Sequence, residues 1–154
     1  MRKAHKMKDK RTRWLLVIVW MAVIFVFSSQ PGDASEETSQ FAIYIFNLLG
    51  LDLYGFFGTL AQFIVRKCAH FTVYLVLYML LFNALRESFS FKKALWLSML
   101  AAFLYACSDE FHQSFVPGRG PAFKDVMIDS TGALVGLTII YIKNLRNSKK
   151  KLIE

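Results

Sequence analysis

Residues 108–136 read SDEFHQSFVPGRGPAFKDVMIDSTGALVG, a stretch that sets Asp109, Glu110, His112, Gln113, Arg119, Asp125 and Asp129 between strongly apolar segments. Ionisable groups at membrane depth cost about 2.5 to 3.5 kcal/mol each on insertion scales, so such a cluster marks a functional site. The flanks decide the fold. The 154-residue chain is 55% hydrophobic and 16% aromatic, with 15 Phe against 3 Pro and 8 Gly. Apolar segments at 14–28, 68–85, 94–108 and 126–142 predict an all-α membrane protein with four transmembrane helices. A hydrocarbon core of about 30 Å needs roughly 20 helical residues, so the first and third segments borrow length from flanks such as Arg13 and Lys93, whose long stems can snorkel.

A fifth segment, 41–65, competes for a place in the membrane, but Asn47, Gly50, Asp52, Gly55, Gly58, Thr59 and Gln62 interrupt it. The charge map arbitrates. Four spans put 15 of the 19 basic residues on one side, in the amino-terminal tail, the 86–93 hairpin and the carboxy-terminal tail, whereas five spans leave 11 there. The positive-inside rule thus favours four helices in the cell membrane with both termini cytoplasmic, and an outer interfacial or re-entrant helical segment at 41–65. The expected organisation is a basic tail at 1–13, a transmembrane domain at 14–142 and a second basic tail at 143–154. A cleaved signal peptide would also place a basic region before an apolar run with Ser28 and Ser29 behind it, but the bulky Phe27 sits three residues before such a cut.

The net charge of +8 does not indicate nucleic acid, because the basic residues flank hydrophobic helices instead of covering one soluble face. Membrane lipids are the expected partners, since Lys and Arg beside a bilayer gain about 1 kcal/mol each from anionic headgroups. Cys68 and Cys107 both fall near outer helix ends; that alone does not predict a disulfide.

This topology gathers the unusual polar residues at one level. Ser28, Ser29 and Gln30 close the first helix; Arg66, Lys67, His70 and Tyr74 open the second; Asp109, Glu110, His112 and Gln113 close the third; Arg119, Lys124, Asp125 and Asp129 lead into the fourth. Lys67, His70 and Tyr74 share a helix face, as do Asp109 and Gln113, and as do Asp125, Asp129, Gly132 and Gly136. The two carboxylates of the last stripe need cations, for which Lys67 and Arg119 are available, while the glycines suit close helix packing. Pro117-Gly118-Arg119-Gly120-Pro121 predicts a rigid turn with Arg119 at its apex, suited to gripping a carboxylate or phosphate or to pairing with Asp109, Glu110 or Asp125. No zinc-type spacing joins His70 and His112 to the acids, so no metal and no cofactor is expected.

Ser-Ser-Gln-Pro at 28–31, Lys67-x-x-His70 with Tyr74, Asp109-Glu110-x-x-Gln113, Pro117-Gly118-Arg119, Asp125 and Gly132 together resemble the VanZ-like family of small bacterial membrane proteins over about 14–142. Where that family commonly has Asn four residues after the Asp of its last motif, this chain has Asp129. The resemblance implies a multi-helix protein of the cell envelope and, through the family's namesake, a link to low-level resistance to teicoplanin-type lipoglycopeptides. On this basis the expected binding residues are Lys67, His70, Asp109, Glu110, Gln113, Arg119 and Asp125, in an outward-facing pocket for an anionic envelope ligand or a lipoglycopeptide. Two alternatives stay open. One is a membrane enzyme acting on a lipid-linked or phosphate-bearing substrate, with His70 or Glu110 as general base; the other is a small transporter.

Overall fold

The computed structural model describes residues 2–120 and 122–153, with side chains from 10 to 120 and from 122 to 150. The elements run in the order α1 (Arg2–Ser28), α2 (Gly32–Leu48), α3 (Leu53–Phe57), a single 3₁₀ turn at Gly58–Leu60, α4 (Ala61–Leu85), α5 (Phe91–Gln113) and α6 (Phe123–Ile153), and no strand occurs among the described residues. Four helical stretches, carried by α1, α4, α5 and α6, are long and apolar enough to cross a membrane.

All four helices extend beyond the apolar runs, because a helix continues through polar residues that find partners or reach water. The extension that bears on the site is in α4, which starts at Ala61, seven residues before the expected start at 68, and carries Arg66 and Lys67 inside its second turn. The segment 41–65 is therefore not one element: it supplies the last turns of α2, all of α3 and the first turn of α4. Asp52 caps α3 by accepting a 2.9 Å hydrogen bond from Gly55 N.

Side-chain bonds fix the directions of the helices. Trp20 Nε1 donates to Val73 O at 2.9 Å and Arg13 Nη1 to Asn83 O at 3.1 Å, so α1 and α4 are antiparallel. Tyr78 Oη donates to Leu95 O at 3.3 Å and the Phe82 and Phe91 rings meet edge to face, so α4 and α5 are antiparallel as well. Tyr105 Oη donates to Met21 O at 2.7 Å, setting α5 parallel to α1. Arg13 also pairs with Glu87 at 3.2 Å, which brings the start of α1 to the α4–α5 hairpin. The bundle thus runs up, down, up, down.

The core is made of Val17 and Ile24 from α1, Tyr74, Leu77, Tyr78, Leu81 and Phe82 from α4, Leu95, Ala102 and Ala106 from α5, and Val126 and Ala133 from α6. Small residues on α5 and α6 let α4 approach both helices. A Cβ on Gly132 would collide with the carbonyl oxygen of Phe71, and one on Gly136 would fall 2.8 Å from the Tyr78 ring. The glycine step therefore serves helix packing, as its spacing suggests. Outward faces carry exposed Leu15, Ile18, Val19, Trp96, Leu100 and Leu104, as expected of helices surrounded by lipid.

Candidate functional site

The paired Asp and Gly positions of α6 meet α4 in ascending register: Asp125 bonds Lys67, Asp129 lies against His70, Gly132 abuts Phe71, and Gly136 packs on Leu75 and Tyr78. The parallel pair of helices is polar at one end and apolar beyond it. The ends of α1 and α5 reach the same level, where Gln113 Nε2 donates to Ser28 Oγ at 3.0 Å and His112 Nε2 lies 3.1 Å from Ser29 Oγ.

Within this polar end the carboxylates have separate partners. Lys67 forms an ion pair with Asp125. His70 Nδ1 lies 3.2 Å from Asp129 Oδ1, a hydrogen bond that becomes an ion pair when the ring is protonated. Asp129 is therefore served by His70, not by Lys67 or Arg119 as its charge alone suggested. Asp109 is within 3.5 Å of Gln113 Nε2, and Glu110 accepts a 2.5 Å hydrogen bond from Ala122 N, fixing the approach to α6. Asp109, Glu110, Gln113 and Asp129 are all buried.

Arg119 pairs with none of the three carboxylates considered from sequence. Its Nη2 donates to Ser35 Oγ at 2.5 Å and its Nη1 reaches Ser28 O at 3.5 Å, while its Nε is buried without an acceptor. Arg119 closes the turn instead of standing at its apex. Arg119 N bonds Val116 O at 3.1 Å, and Gly118 has φ of 73°, so Pro117 and Gly118 occupy the two central positions of a type II-like turn that requires glycine second. Pro121, the last residue of the turn motif, lies outside the described residues. Burial first, and the neighbouring Arg66 guanidinium second, lower the Arg119 pKa from the ordinary arginine value, with Asp109, Glu110 and Asp125 pulling the other way.

A cavity of about 320 Å³ lies between α1, α2 and α4, with Asp109 and Arg119 at its edge. Its apolar wall is formed by Trp20, Val23, Ile24 and Phe27 of α1 together with Val65, Ala69 and Val73 of α4. Its polar wall contains Ser35, Thr38 and Ser39 of α2, Arg66, His70, Asp109 and Arg119. Among the residues expected from sequence, His70, Asp109 and Arg119 line the cavity, whereas Lys67, Glu110, Gln113 and Asp125 are not part of its wall and brace it from their own bonds. Arg66, expected at this level but not among the binding residues, is the second cation of the wall. It lies four residues before His70 on the same helix face, and its Nε is likewise buried without an acceptor.

The other missed contributor is α2. Its amino end is fastened to the turn by Gly32 N donating to Pro117 O at 3.1 Å, where a Cβ on Gly32 would lie only 2.6 Å from Gly118 O. Ser35, Ser39 and Ile43, spaced four apart, form its buried stripe, and that spacing is the signal present in the sequence. Cys68 and Cys107 are both free thiols. Among the described residues no three His, Cys, Asp or Glu side chains gather in a metal-holding group.

The family model VanZ/LLP1 matches residues 13–144. No curated protein and no solved structure was found to match the chain.

Proposed function

The chain is a multi-pass membrane protein belonging to the VanZ/LLP1 family, and from that premise we propose that its cavity binds an anionic amphiphile of the bacterial cell envelope. The observation that carries this reading is the position of Arg66 and Arg119: both line the cavity, neither has a carboxylate within ion-pair distance among the described residues, and each keeps a buried Nε–H without an acceptor. A buried donor without a partner costs about 1 to 3 kcal/mol, more when charged, and a ligand bearing anionic oxygens would recover that cost.

Both termini and the α4–α5 hairpin belong on the cytoplasmic side, with the cavity in the outer leaflet, because the basic residues collect at the end opposite the cavity. Through its ligand the protein contributes to tolerance of teicoplanin-type glycopeptides, compounds that combine anionic and fatty parts. The test is the teicoplanin susceptibility of a sensitive Gram-positive host producing the wild type, Arg119→Ala or Arg66→Ala at equal membrane levels. Tolerance with the wild type that disappears in both variants is the expected result. Equal susceptibility with and without the wild-type protein sinks the glycopeptide role.

A catalytic reading has one specific support: His70 faces the cavity while Asp129 holds its other side, the arrangement of an oriented general base. Glu110 has less claim to that role, since it is buried on Ala122 N and does not line the cavity. Release of a new product from labelled lipid-linked precursors by membranes containing wild type, but not His70→Ala, would establish it. Transport has weaker support, because the half of the bundle away from the cavity is filled by Leu77, Tyr78, Leu81 and Phe82.

A further inference from the structure

The cavity has a direction. Along α4 its lining runs from Val65 to Val73, and along α1 from Ser28 back to Trp20. At 1.5 Å per helical residue each run covers about 10 to 12 Å, from the level of the arginines toward the bundle's middle. Along α1 and α4 the cations therefore stand at one end, with Phe27 and Val65 beside them, and the lining beyond His70 is apolar, ending at Trp20, Ile24 and Val73. We propose that the ligand is a single-chain amphiphile ending in a phosphate with at least two negative charges, the phosphate held between Arg66 and Arg119 and the chain running down beside Trp20. This rests on the amphiphile reading above and names its chemical class.

Three observations select that class. Two guanidiniums without carboxylate partners call for two charges and several acceptor oxygens; a phosphate monoester or diphosphate offers both and matches the guanidinium fork, whereas a lone carboxylate fills one. Asp109, the carboxylate in the lining, is 5% exposed and directed to Gln113, and it forms an ion pair with neither arginine. The volume of about 320 Å³ sits at the lower limit for ligand pockets, which favours one chain over two. Access is from the side: α2 packs on α4 and not closely on α1, and Phe27, on the wall between them, is 52% exposed on the outer face of α1.

Trp20 provides the readout, because its indole lines the cavity. In full-length protein carrying Trp14→Phe and Trp96→Phe, purified in detergent, Trp20 fluorescence is titrated with bromine-labelled lysophosphatidate. Matched titrations use brominated stearate, brominated lysophosphatidylcholine and brominated diacyl phosphatidate. Annular contact gives graded quenching common to all four, so the signal of interest is a saturable component. The expected result is saturable quenching by lysophosphatidate, weakened at least tenfold by Arg66→Gln and by Arg119→Gln and abolished by Ala69→Phe, which fills the chain path. Arg66→Lys and Arg119→Lys retain charge without the fork and serve if either Gln variant fails to elute as folded protein; they too weaken binding.

Equal saturable, arginine-dependent quenching by stearate or by diacyl phosphatidate overturns the ligand class and leaves the amphiphile cavity standing. Saturable quenching that ignores both arginines overturns the phosphate seat. If none of the four lipids gives a saturable component, the proposal and the amphiphile reading fall together.

Discussion

Arg119 Nη2 donates to Ser35 Oγ at 2.5 Å across 84 residues of sequence, so the guanidinium that borders the cavity is also what fastens α2 over it. One side chain cannot fully serve two anchors. Ligand oxygens that recruit Arg119 compete with Ser35, and α2 is then held by the Gly32 N to Pro117 O bond and its packing on α4.

Ser35→Ala removes a hydrogen bond to a charged group, of a kind worth about 1.5 to 3 kcal/mol, from α2 alone. Amide exchange in α2 is expected to speed up about tenfold or more, with exchange in α4 and α5 unchanged. Hydrogen-exchange mass spectrometry checks this, and uniform protection across wild type and variant would show that Ser35 does not hold the helix.

Packing between α4 and α6 predicts an order of damage. Gly132→Val drives a side chain into the Phe71 backbone, which can yield only if the helices part, at an expected cost of about 3 kcal/mol. Gly136→Ala first meets the Tyr78 ring and costs less, about 1 kcal/mol. Thermal unfolding midpoints in one detergent give the ranking; equal midpoints for the two variants contradict it.

The Lys67–Asp125 pair is mostly buried, with side-chain exposures of 20% and 13%. Lys67→Met leaves Asp125 without its cation and is expected to destabilise by about 2 kcal/mol, allowing for residual hydration. Exchanging the residues, Lys67→Asp with Asp125→Lys, restores more than half of that loss. A double-mutant cycle on detergent-solubilised protein measures the coupling, and additive single effects would deny it.

Asp129 is 1% exposed and touches His70 through a single oxygen. Asn offers the same acceptor without the charge, so Asp129→Asn should stay within about 1 kcal/mol of wild type, whereas Asp129→Leu leaves His70 unsatisfied and costs about 3 kcal/mol. Membrane abundance and unfolding midpoints of the two variants decide it; loss of folding in both would mean that the negative charge itself is needed.

The four crossing helices were readable because apolar length and the distribution of Lys and Arg report directly on lipid burial and topology. Lys67 was likewise readable as a cation for the acids of α6, since it lies at the polar end of its own helix, although Arg119 stood beside it as a candidate and the choice of Asp125 came from the packing. What stayed hidden shares one cause. The start of α2, GDASEETSQ, has almost no apolar residues, so hydropathy says nothing of it, and its burial through Ser35 and Ser39 depends on contacts of small side chains. Arg66 was overshadowed by its neighbour Lys67, because helical spacing gives both a plausible face and only the packing of α2 reveals which one looks into the cavity. For Arg119 the sequence left two roles open, gripping a ligand or pairing with Asp109, Glu110 or Asp125, and the turn directs it to two serines instead of the acids.

The parallel seam of α4 and α6 also bears on how the protein is made. Ribosomes deliver α4, with Lys67 and His70, well before α6 brings Asp125 and Asp129, and α5 must be threaded in between. During that interval the cation and the imidazole lack their acids, and the groove that will receive Gly132 lies empty. Assembly of this seam is thus completed from the carboxyl-terminal side, and until α6 arrives Lys67 and His70 have no acid to answer them.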